Sequence, residues 1–239
     1  MSAAHVVVLT GAGISADSGV RTFRDAGGLW EGRRPEDVAT PEAWARDPAD
    51  VWRFYQLRRA QLREVAPNDA HLALAAFEAR CAAKGVAITV VTQNVDDLHE
   101  RAGSAPLHMH GELSVLRCEP CGHRLRDLEH TDAGAFVPCP ACAQPMLRPD
   151  VVWFGEVPYH LDAIQRAMAA CTQFVAIGTS GAVWPAAGLL HAARELGAGT
   201  WVQALEAPHN LDEVDRFRPG RAVTAVPALL EELAGVLRL

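Results

Sequence analysis

Short, uninterrupted apolar runs recur along this chain, and each ends in glycine or in small polar residues. Val6-Val7-Val8-Leu9 passes into Thr10-Gly11-Ala12-Gly13, and the run at 86–91 into Thr92-Gln93-Asn94. The run at 173–177 passes into Gly178-Thr179-Ser180, and the one at 200–205 into an irregular stretch at 208–220. β-Branched runs without polar alternation predict strands buried on both faces, as in parallel sheets. Between them the apolar spacing changes to three and four, which predicts helices. One spans 48–66, with Val51, Phe54 and Leu57 on its apolar side; a second follows a cap at Asn68 or Asp69, with Leu72, Leu74, Ala76 and Phe77. Others are expected at 161–171, after Pro185, and at 227–239. Strands alternating with helices predict an α/β fold, a doubly wound parallel sheet. The segment 148–156 reads as a short extended run with two alternatives: an exposed strand that adds a substrate peptide, or an internal strand.

In sheets of this kind, polar groups at the carboxyl ends of strands lie where ligands bind. Gly11 and Gly13 permit a tight turn and the close approach of a diphosphate to backbone N–H groups at the start of a following helix. The next glycine is Gly19, so the spacing departs from G-x-G-x-x-G, and an ordinary strand-to-helix turn would use the same residues. Phe23 and Arg24, in a glycine-rich loop, suit closure over a ligand; alternatively Phe23 and Trp30 anchor a packed loop. Gln93, Asn94 and Asp96 suit a ribose or an amide, or else helix capping. His99, His108 and His110 lie close together in sequence, and histidine has the pKa for general-base work. Tyr55 and Arg58, three apart on a helix, share a face and together suit a carboxylate; the competing reading is a solvated helix surface with a rim tyrosine.

The sharpest spacing is Cys118-x-x-Cys121 with Cys139-x-x-Cys142. Two such knuckles joined by a short ribbon place four thiolates around one Zn²⁺, a closed site that stabilises rather than catalyses. Cys81 and Cys171 sit in alanine-rich helical contexts as buried spacers. The chain has 239 residues, 49% hydrophobic and 21% charged, with a formal net charge of −7. That balance fits one substantial core plus an inserted unit and gives no general attraction to nucleic acid. The zinc ribbon lacks the basic and aromatic stripe of a nucleic-acid binder. No apolar run is long enough to span a bilayer, and no secretory pattern opens the chain, so a cytoplasmic location without membrane attachment is expected.

Taken together and in this order, several motifs resemble the sirtuin family of NAD-dependent protein deacylases. They are Gly11-Ala12-Gly13-Ile14-Ser15 with Phe23-Arg24, Thr92-Gln93-Asn94-Val95-Asp96, His110-Gly111, the two cysteine pairs, Val152-Trp153-Phe154-Gly155-Glu156 and Gly178-Thr179-Ser180. The resemblance implies a Rossmann-like large domain (1–24, 69–114 and 152–239). It also implies a small domain made from a helical insertion (25–68) and a zinc-binding insertion (115–151), with the active site in the cleft between the two. NAD and Zn²⁺ are the implied cofactors and acyl-lysine proteins or peptides the implied substrates; the motifs leave the oligomeric state open. By position, Gly11, Ala12, Gly13, Phe23, Arg24, Gln93, Gly178, Thr179 and Ser180 would contact NAD. Asn94 and Asp96 would line the nicotinamide and ribose pocket as catalytic residues, Ala222 would pack the adenine, and His110 would be the general base. Val152, Trp153, Phe154 and Gly155 would meet the substrate.

The implied reaction transfers the acyl group to ADP-ribose, releasing nicotinamide and free lysine. Tyr55 and Arg58 resemble the pair that, in the class III branch of the family, recognises succinyl- or malonyl-lysine. Ala26 resembles the small residue that widens that acyl pocket, and Arg21 resembles bacterial members of the branch. One position departs from the pattern: Ala204 stands where the family has an asparagine that holds the adenosine ribose, so that contact is lost or moved. The alternatives are a deacetylase, an ADP-ribosyl transferase, and an NAD-sensing binding module without catalysis.

Overall fold

The computed structural model describes residues 4–20 and 32–239. In chain order the elements are β1 (His5–Thr10), α1 (Pro35–Val38), α2 (Pro41–Arg46), α3 (Pro48–Leu62), α4 (Asp69–Ala83), β2 (Ala87–Thr92), α5 (Leu98–Arg101), β3 (Leu107–His108), β4 (Gly111–Arg117) and β5 (Arg124–Arg126). They continue with β6 (Arg148–Val151), α6 (Leu161–Ala169), β7 (Gln173–Ile177), α7 (Gly188–Glu195), β8 (Gly199–Ala204), β9 (Arg216–Pro219) and α8 (Ala222–Leu237).

Six strands form a parallel sheet in the order β3-β2-β1-β7-β8-β9. Alternation along each strand feeds two cores. Val6, Val8, Val90, Val175 and Trp201 pack with α4 and α8 on one face. Val7, Leu9, Phe174 and Val202 pack with α6 and α7 on the other. From β1 the chain goes to β2 on one side, and its other neighbour is β7. The crevice at such a reversal opens beyond the carboxyl ends of β1, β2 and β7.

A second, antiparallel sheet has the order β5-β4-β6 and packs with α1–α3 around a third core that includes Trp44, Trp52, Tyr55, Leu116, Cys118 and Trp153. Arg59 is fully buried and ties the helices to this sheet, donating to the carbonyls of Leu113 (2.6 Å) and Asp127. Gly111 makes the crossing from large sheet to small possible. Its φ is +79°, and a Cβ there would sit 2.0 Å from the Asp150 carbonyl oxygen.

Several local expectations change. The helix expected at 48–66 stops at Leu62, and Leu57 is 60% exposed. On α4 the buried face is Ala70, Leu74, Phe77 and Cys81, whereas Leu72 and Ala76 face solvent. An alanine-rich helix offers more apolar positions than it buries, so the pattern leaves its face ambiguous. The last helix begins at Ala222 and contains Pro227 within it, and the irregular stretch includes the edge strand β9, which ends at Pro219. Proline is tolerated there because an edge strand has an unpaired side. Among the described residues no α-helix directly follows the glycine turn after β1. Two three-residue 3₁₀ turns, Ala12–Ile14 and Ala16–Ser18, take its place. The run at 148–156 resolves into β6, a buried strand at the edge of the small sheet that pairs with β4 on one side, followed by a turn. No helix among the described residues is long and apolar enough to cross a membrane.

Candidate active site

A cavity of about 960 Å³ opens where the crevice of the large sheet meets the small sheet and α3. Every candidate nucleotide, catalytic and substrate residue that the structure describes lines it, from the Gly11 turn to Tyr55 and Gly155. Phe23, Arg24 and Ala26 lie outside the described residues. The four cysteines gather elsewhere, in the small sheet's own ribbon.

The glycines are required by the meeting of two loops. The Gly11 N–H donates to Ile177 O and the Gly13 N–H to Gly178 O, each at 2.9 Å. A Cβ on Gly13 would lie 2.7 Å from Gly178 Cα, and one on Gly178, whose φ is +61°, 2.4 Å from Ile14 N. These two amides therefore hold the β1 and β7 loops together. Any side chain at these positions would drive the two loops apart. Gln93 braces this floor of the cavity from β2, donating through Nε2 to Thr179 Oγ1 at 3.0 Å.

Beneath the floor lies a buried, hydrogen-bonded set of neutral groups around one carboxylate. Ser15 Oγ donates to Asp96 Oδ2 (3.0 Å) and accepts from Asn94 Nδ2 (3.2 Å). Asn94 Nδ2 also reaches Gly11 O. With the Ser15 proton directed to Asp96, His71 Nε2 at 3.3 Å must be a donor to Ser15 Oγ. Its Nδ1 accepts from the Asn68 N–H, so this ring is a neutral tautomer. His99 Nε2 meets Thr10 Oγ1 at 2.9 Å, and Thr10 donates to Thr92. Burial pushes the His71 pKa down to about 4 and that of His99 to about 3. Burial likewise raises the Asp96 carboxyl above its ordinary range.

His110 faces the cavity with its Nδ1 3.1 Å from Gln93 O. A carbonyl accepts only, so Nδ1 carries the proton and Nε2 is left as the basic nitrogen. Burial lowers the pKa of the ring, which keeps it neutral near pH 7.

On the opposite wall, Tyr55 is fully buried and Arg58 only 6% exposed, which overturns the reading of a solvated helix surface. Trp153 Nε1 donates to Tyr55 Oη at 2.9 Å, and burial holds the phenol protonated far above its usual range. Trp153 is fixed in turn by a residue that sequence reasoning missed. Arg148, 1% exposed, stacks 3.4 Å from the centroid of the Trp153 ring and grips both oxygens of Glu156 at 2.9 Å. The Trp153 N–H also donates to Glu156. The N–H groups of Val152 and Phe154 reach His110 O and Ala39 O, so this segment is tied down internally. An arginine directly before Pro-Asp in an apolar context was the available signal.

Gln203 was also missed. It is 1% exposed on the cavity wall beside Ala204; its Nε2 donates to Gly220 O at 2.7 Å and its Oε1 has no partner. A lone amide in the run Trp-Val-Gln-Ala-Leu marked it.

In the ribbon, Cys118 Sγ lies 3.5 Å from Cys142 Sγ and Cys121 Sγ 3.6 Å from Cys139 Sγ, and all four atoms fall within 4.8 Å of one another. Tetrahedral Zn–S bonds of about 2.3 Å need sulfurs about 3.8 Å apart, so the set fits Zn²⁺. Both knuckles close with an N–H directed to the first cysteine's carbonyl, from Gly122 (φ +73°) and Ala143 (φ +57°).

Comparison with known proteins supplies the context. The model of the Sir2 family matches residues 11–185. A protein of Shewanella oneidensis named NAD-dependent protein deacylase is 50% identical over 233 residues, covering 96% of this chain and 94% of its own. One of the same name from Caulobacter vibrioides is 48% identical, covering 95% and 96%. Among solved structures, a Sir2 homolog–NAD complex aligns with a TM-score of 0.87 at 36% identity, covering 98% of this chain and 91% of that one. Sir2Af2 bound to a myristoylated histone peptide aligns at 0.74 and 29%, covering 98% and 92%.

Proposed function

The chain belongs to the Sir2 family and is an NAD-dependent protein deacylase, and from that premise we propose that it prefers lysines carrying succinyl or malonyl groups. The observation that carries the preference is the Tyr55–Arg58 pair, buried in an aromatic wall of the cavity that also holds His110. A guanidinium offers a carboxylate a forked, charge-assisted contact, and a protonated phenol adds an O–H donor. Burial strengthens both by excluding competing water.

The close-packed turn of Gly11, Gly13 and Gly178, which lines the cavity, suits the diphosphate of NAD. Ala12, Gln93, Thr179 and Ser180 would hold it there, and Ala222 would pack the adenine. Bound NAD supplies an activated ribose carbon with nicotinamide as leaving group. Asn94 and Asp96, fixed through Ser15, would hold the nicotinamide and its ribose. His110, with Nδ1 locked on Gln93 O, would offer Nε2 as the base for a ribose hydroxyl. Trp153 and Tyr55 form a dry wall that keeps water from the reacting carbon. Val152 and Gly155 border the entry for the lysine-bearing peptide. The large domain is assigned to 1–24, 69–114 and 152–239 and the small one to 25–68 and 115–151.

The test is incubation with NAD and matched acetyl, malonyl, succinyl and long-chain acyl-lysine peptides, with products identified by mass. Succinyl- and malonyl-peptides should give the higher kcat/KM, and Arg58→Met should lower it for these about 10–100-fold while sparing the acetyl peptide. Equal kcat/KM for acetyl and succinyl peptides, unchanged by Arg58→Met, would overturn the preference.

A further inference from the structure

His110 accounts for one of the two histidines on the segment 107–113, and His108 is left without a role. This ring is 5% exposed, and both nitrogens are engaged: Nδ1 lies 3.0 Å from Asn94 O and Nε2 2.6 Å from Glu100 Oε1. The Asn94 carbonyl can only accept, so Nδ1 carries a proton. The short Nε2 contact needs a proton as well, because a ring lone pair aimed at an ionised carboxylate would be repelled. The ring is therefore an imidazolium whose two N–H groups bridge Glu100 and the Asn94 peptide.

The surroundings show why a side chain is used there. Beyond β2 the chain leaves the sheet, yet four successive carbonyls are taken up by the segment 108–113. Thr92 O accepts from the Met109 N–H (3.0 Å), Gln93 O from His110, Asn94 O from His108, and Val95 O from the Leu113 N–H (2.8 Å). Two imidazoles stand in for backbone donors at Gln93 and Asn94, which line the cavity together with Val95. The opposite face of the Asn94 unit is held by its own side chain on Gly11 and Ser15.

The charged and titratable groups around His108 are consistent with this state. Glu100 on α5 pairs with it, and Glu112 on β4 lies near but is held by Arg126 (2.6 Å) and Ser114 (3.2 Å). Asp96 lies on the adjoining loop, and His99 on α5 is neutral. Glu100, His108 and Glu112 offer atoms close enough to hold a metal ion. Their charges are already balanced by the imidazolium and Arg126, so we treat the trio as an ion-pair cluster. Burial pulls the His108 pKa down, but the Glu100 hydrogen bond and charge, the Asn94 carbonyl and Glu112 hold it above its ordinary value of 6.5.

We infer that His108 and Glu100 are positioning residues for the deacylation: their ion pair fixes the Asn94 peptide unit and thereby the amide that faces the cofactor. The inference rests on the role assigned to Asn94 above. Loss of the His108 proton leaves a lone pair facing the Glu100 carboxylate, the bridge opens, and turnover falls on the alkaline side.

The experiment combines a titration of the histidine rings by ¹⁵N NMR with pH profiles of kcat and KM for the wild type, Glu100→Gln, Glu100→Ala and His108→Ala. In the wild type, His108 should titrate above 6.5, and an alkaline limb in kcat should follow it. A glutamine amide can donate to Nε2 of a neutral ring that keeps its proton on Nδ1. Glu100→Gln should therefore restore most of the kcat lost in Glu100→Ala and remove the alkaline limb. His108→Ala should lower kcat about tenfold or more with a smaller change in the peptide KM. A His108 titration at or below 6.5, an alkaline limb retained in Glu100→Gln, or a wild-type kcat in His108→Ala would overturn the inference. Absence of NAD-dependent turnover in the wild type would remove the reading on which it rests. Normal turnover with an unshifted His108 would remove the inference alone.

Discussion

The two halves of the cavity handle buried polarity in opposite ways. Under the large-sheet side lie groups that are mostly uncharged: Thr10, Thr92, Ser15, Asn94 and the neutral rings of His71 and His99, closed around the single carboxylate of Asp96. On the small-sheet side, beside neutral groups such as Gln56 and Ser114, the buried polar groups include several ions; the His108–Glu100 pair is their counterpart on the large-sheet side. Arg148 is clamped by Glu156, Arg59 is placed near Asp127, and Asp150 is paired with Arg124 and accepts a hydrogen bond from Tyr159. The parallel sheet has cores on both faces, so its strand ends are positioned by hydrocarbon and neutral hydrogen bonds complete them. The small part is assembled from short pieces of chain around one core and depends on charge pairs and clustered thiolates for its shape. The proposed base, His110, lies on the neutral side, where burial keeps it uncharged. The proposed carboxylate-binding pair, Tyr55 and Arg58, lies on the side that already contains arginines.

The most severe way to break this contrast is to remove the metal from the thiolates. A strong chelator, or Cys118→Ser, should unfold the ribbon, lower the melting temperature and abolish activity, while far-ultraviolet circular dichroism of the parallel sheet persists; zinc-to-protein stoichiometry by mass spectrometry checks the cause. On the neutral side, His110→Ala should leave the melting temperature unchanged and reduce deacylation by about 10²–10⁴-fold, since it removes a base and no packing. Near-normal turnover of that variant in a product assay would take His110 out of the mechanism.

Arg148→Ala should destabilise the protein by about 1–3 kcal/mol in urea unfolding, because half-buried Glu156 would keep only Arg117 and the Trp153 N–H as partners and Trp153 would lose its stacked cation. It should also raise the KM for succinyl peptides through the loosened Tyr55 wall. The smallest effect separates the halves by pH. His71 and His99 have lowered folded pKa values of about 4 and about 3. Below 6.5 the unfolded chain takes up protons that the folded chain refuses. Each ring then costs about 1.4 kcal/mol of stability per pH unit as acid is added, until its folded pKa is reached. Glu156 is different: its pKa is lowered from 4.5, so its stabilisation is complete above that value and is lost only as pH falls through the folded pKa. Stability measured against pH should therefore fall in two stages, and His71→Gln should flatten the first. The acid limb of kcat/KM should likewise lie below 6.5, because His110 must be neutral to act.

Much of this protein could be read along the chain. The runs at β1, β2, β7 and β8 appeared as strands because burial on both faces leaves no polar alternation to misplace. Cys118, Cys121, Cys139 and Cys142 appeared as one site because two knuckles bring their own geometry. The Gly11 turn and the 93–96 cluster appeared as a ligand floor because they terminate those strands. Helix faces were less legible: Leu57, Leu72 and Ala76 are apolar residues that happen to face water, and only the neighbouring element decides which stripe is covered.

The sequence by itself thus determined the parallel sheet and the thiolate site, since each depends on neighbours close in the chain. Only the tertiary structure decided that Arg58 is buried beside Tyr55, that Arg148 stacks under Trp153, and that Gly11 and Gly13 spend their amides on the loop at Gly178. It also decided that of His108 and His110 the first is an ion-pair bridge and the second a neutral base. Those outcomes depend on burial and on partners far apart in the chain, as between Tyr55 and Trp153 or between Gly11 and Ile177. Protonation, pairing and exposure are properties of the assembled surroundings, and a residue's place in the chain does not fix them.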